Sequence, residues 1–87
     1  MNKYAKELQT LKSHDEVQGI SEYKKGYNFI TTAGHGYLVI PSEDINYRIA
    51  KKIVEYGYVG RLAIYLEEDC EVAEFMQELT DFDRDFV

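Results

Sequence analysis

Five apolar residues in succession, Leu62-Ala63-Ile64-Tyr65-Leu66, place the tightest limit on what this chain can fold into. Side chains along a strand point alternately to opposite faces. A strand apolar at every position needs cover on both, so the run predicts a central, doubly covered strand. The chain has 87 residues, enough for one domain and near the lower end of what folds without staples. Its one cysteine, Cys70, allows no internal disulfide. The cover must come from packed apolar side chains, and eight tyrosines and four phenylalanines supply much of that volume.

The remaining pattern supplies the partners. Residues 3–12 read as a short helix, with Asn2 as N-cap and Tyr4, Leu8 and Leu11 at helical spacing. Ser13-His14-Asp15 ends it. Residues 17–24 form a weak strand that closes in a turn at Lys24-Lys25-Gly26. Tyr27–Thr32 and Tyr37–Ile40 are strands joined through Gly34-His35-Gly36, where the glycines permit positive φ and close backbone approach. Pro41 cannot donate to a ladder and ends the second strand. A helix over residues 43–56 follows, with Ser42 as N-cap and Asp44 in the first turn. Ile45, Ile49, Ala50, Ile53 and Val54 form its apolar stripe, and Gly57 is its C′ glycine. Val59-Gly60-Arg61 is a connector. The last helix begins at Asp69 as N-cap and buries Val72, Phe75, Met76 and Leu79. It either continues through Phe82 and Phe86 or gives way to an extended tail. The order is α-β-β-β-α-β-α, a single α+β domain over residues 1–87 with a small, mostly antiparallel sheet packed by helices.

The net charge of −6 is unevenly spread. Residues 1–65 hold nine Lys/Arg and seven Asp/Glu; residues 66–87 hold nine Asp/Glu and Arg84. Such a field repels free nucleic acid and attracts a basic protein surface. No stretch approaches the roughly 20 apolar residues of a membrane span, and no apolar leader follows Met1. The expectation is a cytoplasmic protein with no membrane partner.

Four features are candidates for chemistry. His35 sits on a turn tip, and histidine is the side-chain type suited to acid–base work near neutral pH, so it is a weak catalytic candidate if Cys70, His14 or a carboxylate lies beside it; otherwise the glycines serve turn geometry alone. Leu66-Glu67-Glu68-Asp69-Cys70-Glu71 concentrates carboxylates where a strand hands over to a helix. It lacks the spacing of a calcium loop, so no metal and no cofactor are expected; the acids complement the helix N-terminus instead. At Cys70 the helix dipole lowers a thiol pKa while the neighbouring carboxylates raise it, which disfavours a reactive thiolate. Arg48, Lys51 and Lys52 form a basic side of the middle helix, offset by Asp44 and Glu55 at four-residue spacing.

The acidic region carries the strongest signal. Glu67, Glu71, Glu74, Glu78, Asp81 and Asp85 follow steps of three and four, which on a continuous helix makes a negative stripe beside the aromatic one. Together with Glu68 these are the expected partner-binding residues. The stripe reads either as imitation of duplex phosphates or as an acidic solvent face that keeps a small protein soluble.

The pairing of Gly34-His35-Gly36-Tyr37-Leu38-Val39-Ile40-Pro41 with Tyr65-Leu66-Glu67-Glu68-Asp69-Cys70-Glu71 resembles an uncharacterised family of small proteins from bacteriophages and other mobile elements, over residues 27–79. The resemblance implies a phage or prophage accessory protein and transfers no catalytic role. Three functions stay open. The first is a non-enzymatic protein that binds a host or phage protein, in its most concrete form an anti-CRISPR or anti-restriction inhibitor whose acidic face enters a nucleic-acid-binding enzyme. The second is a small enzyme or ligand-binding domain centred on His35 with Glu67, Glu68 or Asp69. The third is a structural subunit that is stable as a homo-oligomer.

Overall fold

The computed structural model describes residues 2–12 and 16–86, the side chains of residues 81–86 excepted. Helix α1 (Lys3–Leu11) leads into strands β1 (Val17–Glu22), β2 (Asn28–Thr32) and β3 (Gly36–Pro41). Helix α2 (Tyr47–Ile53), strands β4 (Tyr58–Val59) and β5 (Ala63–Glu67), and helix α3 (Ala73–Phe86) follow. A π-helical turn over Glu68–Val72 joins β5 to α3. The five strands form one sheet in the order β1-β2-β3-β5-β4, antiparallel at every junction. The α+β class and the order α-β-β-β-α-β-α agree with the sequence pattern, with the two-residue β4 added before β5.

The doubly apolar run becomes β5, and both of its faces are covered. Ile64 and Leu66 join Phe29, Leu38 and Ile40 beneath α2, the π turn and α3, which contribute Ala50, Val72, and Phe75 with Leu79. Ala63 and Tyr65 point the other way and join Ile30, Tyr37 and Val39 beneath Ala5 and Leu8 of α1. β3, not β5, is the middle strand. It is just as deeply buried, because Leu38 and Ile40 alternate with Tyr37 and Val39. Burying each large apolar side chain contributes about 1.5–3 kcal/mol, so two thin cores on one shared sheet suffice for so short a chain. Aromatic volume is central, as expected: Tyr27 and Phe75 meet edge-on at 5.9 Å between ring centroids.

Several local readings are overturned by tertiary contacts. Asn2 caps α1 as expected, its Oδ1 accepting from the amides of Tyr4 and Ala5. The inward residues, however, are Ala5 and Leu8, and Leu11 is exposed. The middle helix is half its expected length. Ser42 does not cap it; its hydroxyl donates to the Arg61 carbonyl. Asp44 lies before the helix, where its Oδ1 accepts from Tyr27 Oη at 2.9 Å and from the Asn46 amide at 2.8 Å. These bonds hold residues 42–46 in turns and leave Ile45 at 93% exposure, outside the apolar stripe. The expected connector at Val59 is in part a strand, since Tyr58 and Val59 pair with Tyr65 and Ile64. α3 runs to Phe86 as a helix, in place of an extended tail. Asp69 does not precede it as a cap; the π turn begins one residue earlier, at Glu68. The break expected at Ser13-His14-Asp15 lies outside the described residues.

Two glycines are fixed by close approach. Gly57 does not end α2, which stops at Ile53. A Cβ on it would lie 1.9 Å from the Tyr65 carbonyl oxygen, so β4 can lie against β5 only with glycine there. Gly36 opens β3 without using a positive φ; a Cβ there would sit 2.5 Å from the Phe29 ring. Gly34 also has an ordinary φ, and nothing lies within 4 Å of where its Cβ would be. Chemical denaturation should therefore show Gly57→Ala losing more than about 2 kcal/mol of stability, while Gly34→Ala stays within about 0.5 kcal/mol of the parent.

Candidate functional site

The strand-to-helix junction after β5 gathers the residues singled out in the sequence, and it sorts them into different roles. Glu67, the last residue of β5, pairs in register with Tyr37 of β3. The tip of the β2–β3 hairpin is closed by the amide and hydroxyl of Thr32, which both donate to the His35 carbonyl. That closure carries His35 to the same end of the sheet. Its Nδ1 lies 3.5 Å from Glu67 Oε1, with the His35 side chain about half exposed and the Glu67 side chain 9% exposed. The histidine and one of its three candidate carboxylates therefore do meet. Glu68 and Asp69 face solvent.

The surroundings define what this corner can do. Burial works against ionisation of Glu67, but the Cys70 thiol, the Asp69 amide and His35 hold it below the ordinary carboxylate value. The Cys70 thiol is pushed up to about 11, first by its hydrogen bond to Glu67 and further by the charges of Glu71 and Asp69. It is a protonated donor at neutral pH and not a thiolate nucleophile. On the α1 side, Lys12 Nζ bonds Tyr37 Oη at 2.7 Å and lies 4.8 Å above the Tyr37 ring and 5.5 Å above that of Tyr58. Among the described residues, no group of three or more His, Cys, Asp or Glu side chains is arranged to hold a metal ion.

The acidic stripe is shorter than its spacing suggests. Glu71 is 2% exposed and Glu67 is 7% exposed, so neither can belong to an outward partner-binding face. The Glu71 carboxylate turns inward. Its Oε2 accepts from the amides of Glu55 and Tyr56, and its Oε1 from those of Gly57 and Glu67, each at 3.0 Å. Four amides from two segments converge on one carboxylate and tie the α2–β4 loop to the start of α3. Glu68, Asp69, Glu74 and Glu78 are exposed. The side chains of Asp81 and Asp85 lie outside the described residues.

A second carboxylate, not among the residues singled out above, does similar work on the opposite face. Glu7 of α1 accepts from the amides of Arg61 and Leu62 and from Tyr65 Oη at 2.7 Å. Burial opposes its ionisation, yet Tyr65 and the amides of Leu62, Arg61 and Ala63 hold its pKa below the ordinary value. One hint was present: Glu7 lies beside Leu8 in a helix whose acidic residues are otherwise absent. The basic residues of α2 also differ from expectation. Asp44 and Glu55 lie outside Tyr47–Ile53, so the four-residue pairing with Arg48 and Lys51 has no helix to form on. Arg48, Lys51 and Lys52 line an open hollow of about 370 Å³.

Two measurements follow from these carboxylates. Glu71→Ala leaves four amides without their acceptor, and urea unfolding should show a loss of about 3–5 kcal/mol. Glu7 and Glu67 have folded pKa values below those of the unfolded chain. The stability they contribute is complete above the unfolded value near 4.5 and is lost as pH falls through the depressed folded values. Melting temperature should therefore hold steady above about pH 5 and drop below about pH 4, and Glu7→Gln should flatten that drop.

No protein-family model matches the chain, and neither a characterised protein nor a solved structure matches it at a significant level.

Proposed function

We propose that the protein is a binding module that engages a basic protein surface through the outward edge of α3. The observation that carries this reading is the placement of Glu74 and Glu78. They stand one turn apart, both exposed, along one wall of a groove of about 300 Å³ whose other residues are Ile49, Lys52 and Ile53. Ile49 and Ile53 give the groove apolar surface, and its two glutamates outnumber Lys52, a combination that suits an amphipathic element with a basic edge. Tyr56 is 65% exposed on the loop held by Glu71, and it supplies an aromatic anchor of the kind that dominates interfaces.

Burial of Glu67 and Glu71 narrows the duplex-imitating version of this idea. Glu74 and Glu78 are separated by roughly 6 Å of helix rise, wider than the 3.4 Å between successive charges on one DNA strand. A groove-bound partner is therefore favoured over a long imitation of phosphates. In its most concrete form the partner is a host or phage enzyme that handles nucleic acid, and the chain is an accessory inhibitor of a defence system; that context rests on the phage-like motifs alone.

An affinity pull-down from host extract with mass-spectrometric identification supplies the partner. Its binding should weaken steeply between about 0.03 M and 0.3 M salt, over which the Debye length shrinks roughly threefold. Glu74→Lys with Glu78→Lys should abolish binding while the circular dichroism spectrum is unchanged. A complex indifferent to both salt and charge reversal refutes the proposal.

The contact between His35 and Glu67 favours a second reading, a ligand-binding or acid–base corner. A small molecule that shifts the NMR signals of both residues, and loses affinity in Glu67→Gln, would select this reading over the first.

A further inference from the structure

The face of the sheet opposite α3 carries a second groove, and its chemistry runs against that of the chain as a whole. It lies between α1 and the turn joining β4 to β5, with a volume of about 610 Å³. Leu11 and Leu62 give it an apolar surface, and Leu11 is 39% exposed. Lys3, Lys6 and Arg61 stand around it. The acid lining it, Glu7, is held in its ionised form by two backbone amides and the Tyr65 hydroxyl and balances one of these three cations, which leaves the groove a positive surplus. On a chain of net charge −6, this is a locally cationic, apolar groove.

An independent observation concerns the backbone. β4 is the terminal strand of the sheet, and among the described residues its partner is β5 alone. The Gly60 amide donates to the Ala63 carbonyl at 2.8 Å, which makes Gly60 and Ala63 a hydrogen-bonded pair. Antiparallel pairs alternate, so Val59 and Ile64 form the non-bonded pair. The N–H and C=O of Val59 therefore point away from β5, toward the open edge. Val59 shares the α2–α3 face with its partner Ile64, so its side chain points away from α1 while its backbone is open to an incoming strand.

We propose that this groove binds an extended acidic peptide from a partner protein, added as a strand alongside β4. Its backbone pairs with Val59, its apolar side chains line up beside Val59 on the α2–α3 face of the sheet, and its carboxylates, on the other face, enter the groove and meet Lys3, Lys6 and Arg61. Strand addition supplies affinity through the main chain and selectivity through alternate side chains. The charge of the groove selects acidic over basic sequences. The site is separated from the Glu74–Glu78 edge by the sheet, so it stands or falls independently of the function proposed above.

The test uses the unmodified protein and a fluorescein-labelled peptide of about eight residues alternating Val and Asp, the period that puts one residue type on each face of a strand. Fluorescence polarisation should show saturable binding, and the Val59 amide should shift in the ¹⁵N–¹H spectrum. A peptide alternating Val and Lys should not bind. The Val-Asp peptide N-methylated at alternate residues should lose binding, since it keeps the charge but cannot pair as a strand. Lys6→Glu with Arg61→Glu should weaken the parent peptide by at least about tenfold, equivalent to ~1.4 kcal/mol. Absence of binding, equal binding of the basic peptide, or full retention after N-methylation overturns the proposal, and the last two need no protein variant.

Discussion

The buried carboxylate of Glu71 is the contact on which the arrangement of the second half of the chain depends. The chain leaves α2 at Ile53, turns, and returns as the two-residue strand β4, too short to place itself. Its preceding amides, from Glu55 to Gly57, would be left without partners in a crowded loop. Glu71 accepts all three, and its fourth donor, Glu67, belongs to β5. One side chain thus fixes the end of α2, the entry to β4 and the start of α3 relative to β5. Charge-assisted bonds of this kind are roughly twice as strong as neutral ones, which is why a charged group survives at 2% exposure.

Glu7 repeats the device on the other face, drawing α1 to the β4–β5 turn. The two carboxylates hold the same hairpin from opposite sides. Both consume charge that composition alone assigns to the surface, and the consequence reaches function. On the α3 side, the outward acidic edge shrinks to residues such as Glu74 and Glu78. On the α1 side, Glu7 is tied into the fold and balances one of three cations, so the groove keeps a positive surplus from Lys3, Lys6 and Arg61. An acidic protein thereby acquires two grooves of opposite character, separated by a five-stranded sheet.

What could be read from residues alone followed the strength of the local pattern. Leu62–Leu66 announced a doubly covered strand because period-two burial leaves no other reading of five apolar positions, and α3 announced its buried face through Phe75 and Leu79. The middle helix misled for the same reason in reverse. Ile45 sits at helical spacing from Ile49, but the hydrogen bonds of Asp44 to Tyr27 and of Ser42 to Arg61 come from residues 17 and 19 positions away. No window along the chain contains both partners. The meeting of His35 with Glu67 is of this kind as well: each lay on a recognisable turn or strand end, and their proximity required the register of β3 against β5.

The class of fold, the existence of a covered sheet and the concentration of negative charge in the last quarter were legible in the residues, since these depend on periodicity and composition. The tertiary structure decided which of those charges face a partner. A glutamate at helical spacing looks the same in sequence whether it meets water or four converging amides, and the difference at Glu71 is made by a loop fourteen to sixteen residues earlier in the chain. Burial and hydrogen bonding between distant segments, not local pattern, separate the carboxylates that hold this protein together from those free to bind.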